Sequence, residues 1–600
     1  MPNSTWMFLA LALTAQQGPP PPADADSSLS IPVLRNGNFA EPANPALGPL
    51  PWWRVIAGSP RVEGADDGAA LVTGTGDIVQ QPLPAMAGAT GDFVIRGRLR
   101  GIGTLTLIDG LGGSASESWR GDSESGFEFE VRGSDLASGL MRVVEPRFVL
   151  QLTGGESLVA EGEARWSELT VEAPFPCPSE ADLRAEILAL LSWSFDRQLS
   201  LSLDDLGPRP TAFVAHEIDV DTGEPVGAPM GRVTYHPLYG QLLRAWVAEP
   251  RDDWRVALER YVRDFLELGL HPETGLPRYW DPVADVPLDD AGMEIRVHMD
   301  FLLDLADHGP PSVRADCLAA AERIGEHVLS AGVLPDGSVA ARYVPGDGRP
   351  TGGTVAIRRL DVPSVLARLG GLLGDERYRD VAREAVLELS YDHYWPGTWD
   401  RIDPGFDDNY GHYGERALVM WEAWPDEPAF RQMALSGFDH YAPLWRDALR
   451  YGGNIAADQV RCWRIAAGIA ELSPDRAELV NELLAAAVDV HFAGQQTNGG
   501  PWIDVTVVNF DPQRLPVGDT AGVPQNLLEG LGLVYDHELG QRSEVTRAAF
   551  TGVVRQTVAS FGGAHGLIGT TRRASAETGN RARGSLRLHP GLLAMLEQLD

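Results

Sequence analysis

The feature that most constrains this chain is a change of period. As far as about Val171, apolar and polar residues alternate in short runs, as in Phe127-Glu128-Phe129-Glu130-Val131. After "PFPCPSE" (174–180) the apolar spacing lengthens to three and four residues and stays there. Alternation marks a half-buried strand, and the longer spacing marks an amphipathic helix. One element type cannot satisfy both, so the chain divides into an all-β region followed by an all-α region.

In the β region, "DFVIRGRLRG", "GTLTLIDG", "GFEFEVRG", "PRFVLQL" and "SELTVEA" are separated by glycine-rich turns, the pattern of a β-sandwich. In the α region, helices of contrasting kinds alternate. Arg- and Glu-rich ones are predicted near 252–268, 312–330, 375–390, 427–449, 474–492 and 541–559. Helices that open on aromatic, His, Asn or Gly residues and turn apolar downstream are predicted near 236–247, 292–307, 360–373, 410–424, 454–471, 523–536 and 588–599. Hairpins recurring at roughly 45–65 residues build a closed or solenoidal array. Between them, "HPETGLPRYWD" and "GVLPDGSVAARY" read as small β-excursions turning at Thr-Gly and Asp-Gly.

Bulk chemistry narrows the function. The net charge is −35 and every basic residue is arginine, which argues against nucleic acid as a partner. The three cysteines, Cys177, Cys317 and Cys462, are too few and wrongly spaced for a disulfide framework or a zinc site, so no metal or other cofactor is expected. The apolar run Trp6–Leu13 and the small residues after it read as a signal peptide over 1–16 and hence export. Residues 17–30, rich in Pro, Ala and Asp, read as a linker. A monomer with no membrane-spanning segment is expected.

Two resemblances sharpen this. "LRNGNFAEP", "PWWRVIAG", "GDIVQQPL" and "ARWSELTVEA" together resemble the galactose-binding-like jelly rolls of carbohydrate-binding modules. That implies a jelly-roll sandwich over 31–175, with Trp52 and Trp53 either in its core or forming a sugar platform. The helix pairs of 176–600 resemble the (α/α) toroid enzymes that cut or modify carbohydrates, with six or seven hairpins. The expected fold is therefore multidomain: an N-terminal all-β jelly-roll sandwich followed by an all-α (α/α)6–7 toroid that takes a polysaccharide.

In such a toroid the starts of the inner helices line the cleft. Their partial positive charge and free N–H groups suit oxygen-rich ligands. The successive starts offer Tyr235, His236 and Tyr239; Glu294 with His298, and Arg296 with Asp300; Arg358, Arg359 and Asp361; Tyr451, Asn454, Asp458 and Arg461; and Gln525, Asn526 and Glu529. Asp, Asn and Ser at such starts are also ordinary caps. The densest start is "GFDDNYGHYGERAL" (405–418). Asp407 and Asp408 serve there as caps, while Asn409, His412 or Tyr413, and Arg416 fall on one helical stripe.

Grouped titratable residues of this kind mark proton-transfer sites. β-Elimination on a uronic-acid polymer needs donors to neutralise a carboxylate and a Tyr or His as base. Alginate and glucuronan lyases of the (α/α) class use these residue types. That resemblance implies Tyr410, Tyr413, His412 and His298 as catalytic groups. It implies Asn409, Arg416 and Asn454 at the substrate carboxylate, with His236, Tyr235 and Glu294 also lining the site. The alternative is glycoside hydrolysis, which needs two carboxylates; Asp408, Glu294, Asp458 and Glu529 are the candidates. Non-catalytic glycan binding is the third reading.

Overall fold

The computed structural model describes residues 28–32, 34, 37–40, 50, 53–65, 68–83, 93–109, 114–121, 126–133, 148–155, 162–200, 208–214, 236–281, 284–351, 360–393, 406–436, 438–439, 459–481, 528–533, 535, 543–561 and 583–599. Among the described residues, strands run from Ser28 to Pro176, and the first full helix begins at Glu180. The change of period is thus the change of architecture. The first strand starts inside the stretch read as linker.

Ten strands form the β region: β1 (Ser28–Pro32), β2 (Arg54–Ala57), β3 (Arg61–Ala65), β4 (Gly68–Thr73), β5 (Ile78–Leu83), β6 (Val94–Asp109), β7 (Ser114–Gly121), β8 (Phe127–Arg132), β9 (Phe148–Gly154) and β10 (Ala164–Pro176). Among the described residues they hydrogen-bond into one continuous sheet, β2-β5-β9-β6-β10-β4-β3, rather than the two sheets of the expected sandwich. The cause is the long β6. Its first half pairs with β8 and β10, and its second half with β7 and β9. The change comes near Gly101, which has φ +91 and lies so close to Glu163 that a Cβ would stand 1.9 Å from the Glu163 carbonyl oxygen. Only glycine takes that conformation and that approach at low cost.

The sheet curls round a core that includes Leu99, Leu105, Phe129, Leu152 and Trp166. Phe129 and Val131 are buried while Glu128 and Glu130 are exposed, as alternation requires. Trp53 is also core: 4% exposed, its ring 5.5 Å from that of Phe39. Trp52 lies outside the described residues.

The helical region contains α1 (Glu180–Ser200), α2 (His236–Ala248), α3 (Asp252–Leu268), α4 (Arg296–His308), α5 (Pro311–His327), α6 (Asp361–Leu373), α7 (Glu376–His393), α8 (Phe406–Ala423), α9 (428–436), α10 (Gln459–Leu472), α11 (528–533), α12 (Ser543–Phe561) and α13 (Arg583–Leu596). Local chemistry sets their ends. α4 stops at Gly309, and α5 starts with Pro at its first positions, where no N–H is required. Gly374 ends α6 in the left-handed conformation, φ +67.

Consecutive pairs pack as hairpins: α2 with α3, α4 with α5, and α6 with α7. The first helix of each pair also packs on the first helix of the next, in the order α2, α4, α6, α8, α10. Arg464 of α10 is ion-paired with Glu529 of α11. Gly532 of α11 lies against the Ala594–Met595 backbone of α13, and α13 packs on α2. Among the described residues, then, seven inner helices follow one another round a ring, with α3, α5, α7, α9, α12 and α1 outside it; a further short helix spans 477–481.

The β and α regions are joined by more than the chain. Helix α12 packs against β10 and β1. The Cys177 thiol donates to the Glu544 carbonyl at 3.5 Å, and Arg547 donates to the Pro178 carbonyl at 3.3 Å and to the Tyr535 hydroxyl at 3.0 Å. No helix of the described residues is long and apolar enough to cross a membrane.

Candidate functional site

The ends of the ring differ. Turns from an inner to an outer helix are short, as at 249–251, 309–310 and 374–375, whereas the returns span 269–295 and 328–360. The long returns arrive at the N-terminal ends of α4 and α6. They carry β11 (Tyr279–Asp281) paired with β12 (Val286–Leu288), and β13 (Met293–Glu294) paired with β14 (Arg342–Tyr343). The expected β-excursions turn at Gly275 (φ +71) and Gly337 (φ +80), each following the Thr or Asp read from the sequence. Long segments on a rigid ring are where ligand contacts concentrate.

From this end to the middle of the helices a network of charges crosses α4, α6 and α8. Arg416 of α8 donates to Asp300 of α4 through Nη2 at 2.9 Å and Nη1 at 3.3 Å, with Ser364 of α6 3.5 Å from Nη1. Helix α6 stands between α4 and α8, so a pair joining those two reaches over the inner surface of the ring. Arg368 of α6 adds bonds to Asp300 at 3.3 Å and Asp304 at 2.7 Å. Arg296, the first residue of α4, donates from Nη1 to Asp300 at 3.2 Å. Its Nε lies 3.3 Å from Asp361 and 3.6 Å from Glu294. One helix further round, Arg464 of α10 bonds Glu415 of α8 at 3.1 Å and pairs with the buried Glu529. Burial of Arg416 works against its charge, but Asp300, with Asp361 and Glu415 beyond it, holds the guanidinium above its usual range.

The helical period explains membership. Arg296, Asp300 and Asp304 recur every four residues and share one face of α4; Asp361, Ser364 and Arg368, spaced three and four apart, share one face of α6. His298 falls on the opposite side of α4. It is buried, its ring parallel to that of Phe265 on outer helix α3 at 5.9 Å, and burial pushes its pKa down to about 3. The structure thus places His298 in the wall between the two layers and not with Arg416, where convergence was expected. Tyr239 is wall as well, stacked on Tyr261 at 3.6 Å with its hydroxyl bonded to the Ala212 carbonyl.

Helix α8 begins at Phe406, so Asp407 and Asp408 stand in its first turn rather than before it. Asn409, Tyr410, His412 and Tyr413 follow on the first two turns, and the period puts Asn409, Tyr413 and Arg416 on one side. The side chains of these four and of His236, together with Tyr235, Asn454 and Asp458, lie outside the described residues. Sequence reading missed Ser364, Arg368 and Arg464 as members of the network. The signal was present in α6: an Asp, Ser, Arg stripe at i, i+3 and i+7 in an otherwise apolar helix.

A second buried polar group was also missed. His589 of α13 is fully buried, 2.7 Å from the Ser194 hydroxyl of α1 and 2.9 Å from the Gln241 side chain of α2. Burial pushes its pKa down to about 3. Among the described residues no group of three His, Cys, Asp or Glu side chains is placed to hold a metal ion. Cys177 and Cys317 are free thiols, the latter pushed up to about 12 by burial.

No family model matches the chain, and no curated protein matches it. Solved structures do resemble it. A sugar epimerase from a ruminal bacterium is 12% identical over 69% of this chain and 97% of that one, with a TM-score of 0.42. A family 76 glycoside hydrolase from a bovine Bacteroides thetaiotaomicron strain is 12% identical over 90% and 99%, with a TM-score of 0.40. An α-1,2-mannosidase from Trichoderma reesei is 10% identical over 70% and 94%, with a TM-score of 0.49. The ring described above rests on its own contacts and not on these likenesses.

Proposed function

We propose that this chain is an exported carbohydrate-active enzyme whose reaction takes place at the N-terminal ends of inner helices α4, α6 and α8. One observation carries this reading. A network of three arginines and four carboxylates spans these helices on the inner surface of the ring, where a purely structural core would be apolar.

Between the two chemistries, the network supports glycoside hydrolysis better than β-elimination. Of the donors expected at a substrate carboxylate, Arg416 is already committed, with both terminal nitrogens on Asp300. Hydrolysis needs two carboxylates that flank the scissile bond, and Glu294 and Asp361 stand as neighbours at Arg296 Nε, 3.6 and 3.3 Å from it. In this scheme Asp361, nearer the guanidinium, is the base or nucleophile and Glu294 is the acid toward the leaving oxygen, with Arg296 as the positioning residue between them.

Lyase action on a uronic-acid polymer is the second reading, favoured by Tyr410, His412 and Tyr413 on the opening turns of α8. The β region would hold glycan near the ring. A panel of neutral and uronic-acid polymers separates the two readings: hydrolysis releases reducing ends alone, whereas elimination also creates a conjugated double bond that absorbs in the ultraviolet. Ultraviolet-absorbing product that is lost in Tyr410→Phe or Tyr413→Phe would reverse the preference. Neither signal on any polymer would leave the chain as a binding protein.

A further inference from the structure

Arg296 is held differently from its neighbours. Its Nη1 bonds Asp300, and its Nε lies against Asp361 and Glu294. Its Nη2 makes no hydrogen bond to any described residue. The side chain is 23% exposed, against 15% for Arg416, whose donors face inward to Asp300 and Ser364. Arg296 is also the first residue of its helix, directly after the β13–β14 pairing at the open end. One hydrogen bond to Asp300 anchors the guanidinium, and Asp361 and Glu294 stand beside its Nε at ion-pair distance, where that nitrogen makes no hydrogen bond to a described residue; the anchored side chain has less freedom to lose on binding. The same carboxylates offset its charge. What remains for a ligand is a directed N–H donor with little net attraction for an anion.

Building on the hydrolase reading, we infer that Arg296 Nη2 is the group at the mouth of the ring that meets the substrate, and that it donates to a hydroxyl or ring oxygen of a neutral sugar rather than to a uronate. This makes Arg296 a specificity-determining residue as well as the positioning residue for Glu294 and Asp361.

Two full-length variants and a binding measurement test this. Arg296→Lys keeps the charge between the carboxylates but loses the second terminal nitrogen; Arg296→Gln loses the charge as well. Calorimetric titration uses neutral oligosaccharides (β-glucan, α-mannan and xylan fragments) and uronate oligosaccharides (alginate and glucuronan fragments). The wild type should bind a neutral member with an affinity that changes little between roughly 0.05 and 0.5 M salt. Arg296→Lys should weaken that binding by about 10-fold or more. On the matching polymer, KM should rise more than kcat falls, a split that a purely structural role would not give. Circular dichroism and the melting temperature of Arg296→Lys confirm that it is folded.

Unchanged neutral-sugar affinity in a folded Arg296→Lys protein overturns the role of Arg296 and leaves the hydrolase reading standing. Wild-type binding restricted to uronates, and falling steeply with salt, overturns the assignment of a neutral sugar. If the wild type binds and cleaves no member of either set, the functional reading itself fails, and this inference fails with it.

Discussion

At the residue scale, burial decides what each polar side chain can do. Asp300 receives hydrogen bonds from three arginines, so Asp300→Asn leaves Arg416 charged and under-compensated inside the ring. Breaking one partner of such a pair costs about 3 kcal/mol. Urea denaturation should show that loss, and Arg416→Met added to Asp300→Asn should recover some of it. His298 and His589 titrate against folding. Both are held near 3 in the folded protein, against 6.5 when exposed. Their contribution to stability is therefore full above about pH 6.5 and is lost as pH falls toward 3, because the unfolded chain takes up protons that the folded one refuses. The melting temperature should fall across that window, and His298→Phe, which keeps the stack on Phe265, should flatten some of the slope. Little of this was legible in the sequence. A histidine on the inner or the outer face of α4 looks the same in a string of letters until the helix is placed.

At the element scale, much more was legible. The outer helix predicted at 252–268 is α3, and those predicted at 375–390 and 541–559 are α7 and α12 to within a few residues. Amphipathic stripes, glycine stops and proline starts act locally, so they survive without tertiary information. What the sequence left open was how closely the elements approach. Gly532 is an ordinary helical glycine by sequence, yet a Cβ there would stand 2.7 Å from backbone atoms of Ala594 and Met595. Backbone cannot move aside as a side chain can. Gly532→Ala should therefore destabilise the protein by roughly 1–3 kcal/mol and loosen the seam between α11 and α13. Hydrogen exchange should show that loosening as faster exchange in α13. Gly374→Ala has open space around it and should lose only about 1 kcal/mol, from its left-handed φ alone.

At the scale of the whole molecule, charge and docking dominate. A net charge of −35 with no lysine repels itself at low ionic strength. Raising salt from roughly 0.01 to 1 M shortens the screening length about tenfold, so the melting temperature should rise with sodium chloride before any ion-specific effect. The β region is clamped by α12, which packs on β10 and β1 and whose Arg547 reaches Pro178, just past β10, and Tyr535. Calorimetry should accordingly record one cooperative unfolding transition. Arg547→Met should split it in two, and two transitions already present in the wild type would show that the clamp is ineffective.

The sequence by itself determined the order of architectures, the place where one gives way to the other, and the alternation of inner and outer helices. Each follows from periodicity, which a chain carries residue by residue. Tertiary structure alone decided that the described strands join in one curled sheet, that the inner helices pack in the order α2, α4, α6, α8, α10, and that Arg416 serves Asp300. Those outcomes depend on contacts between residues far apart in the chain, such as Asp300 with Arg416 or Ser194 with His589. No local pattern encodes which of several arginines will find which carboxylate.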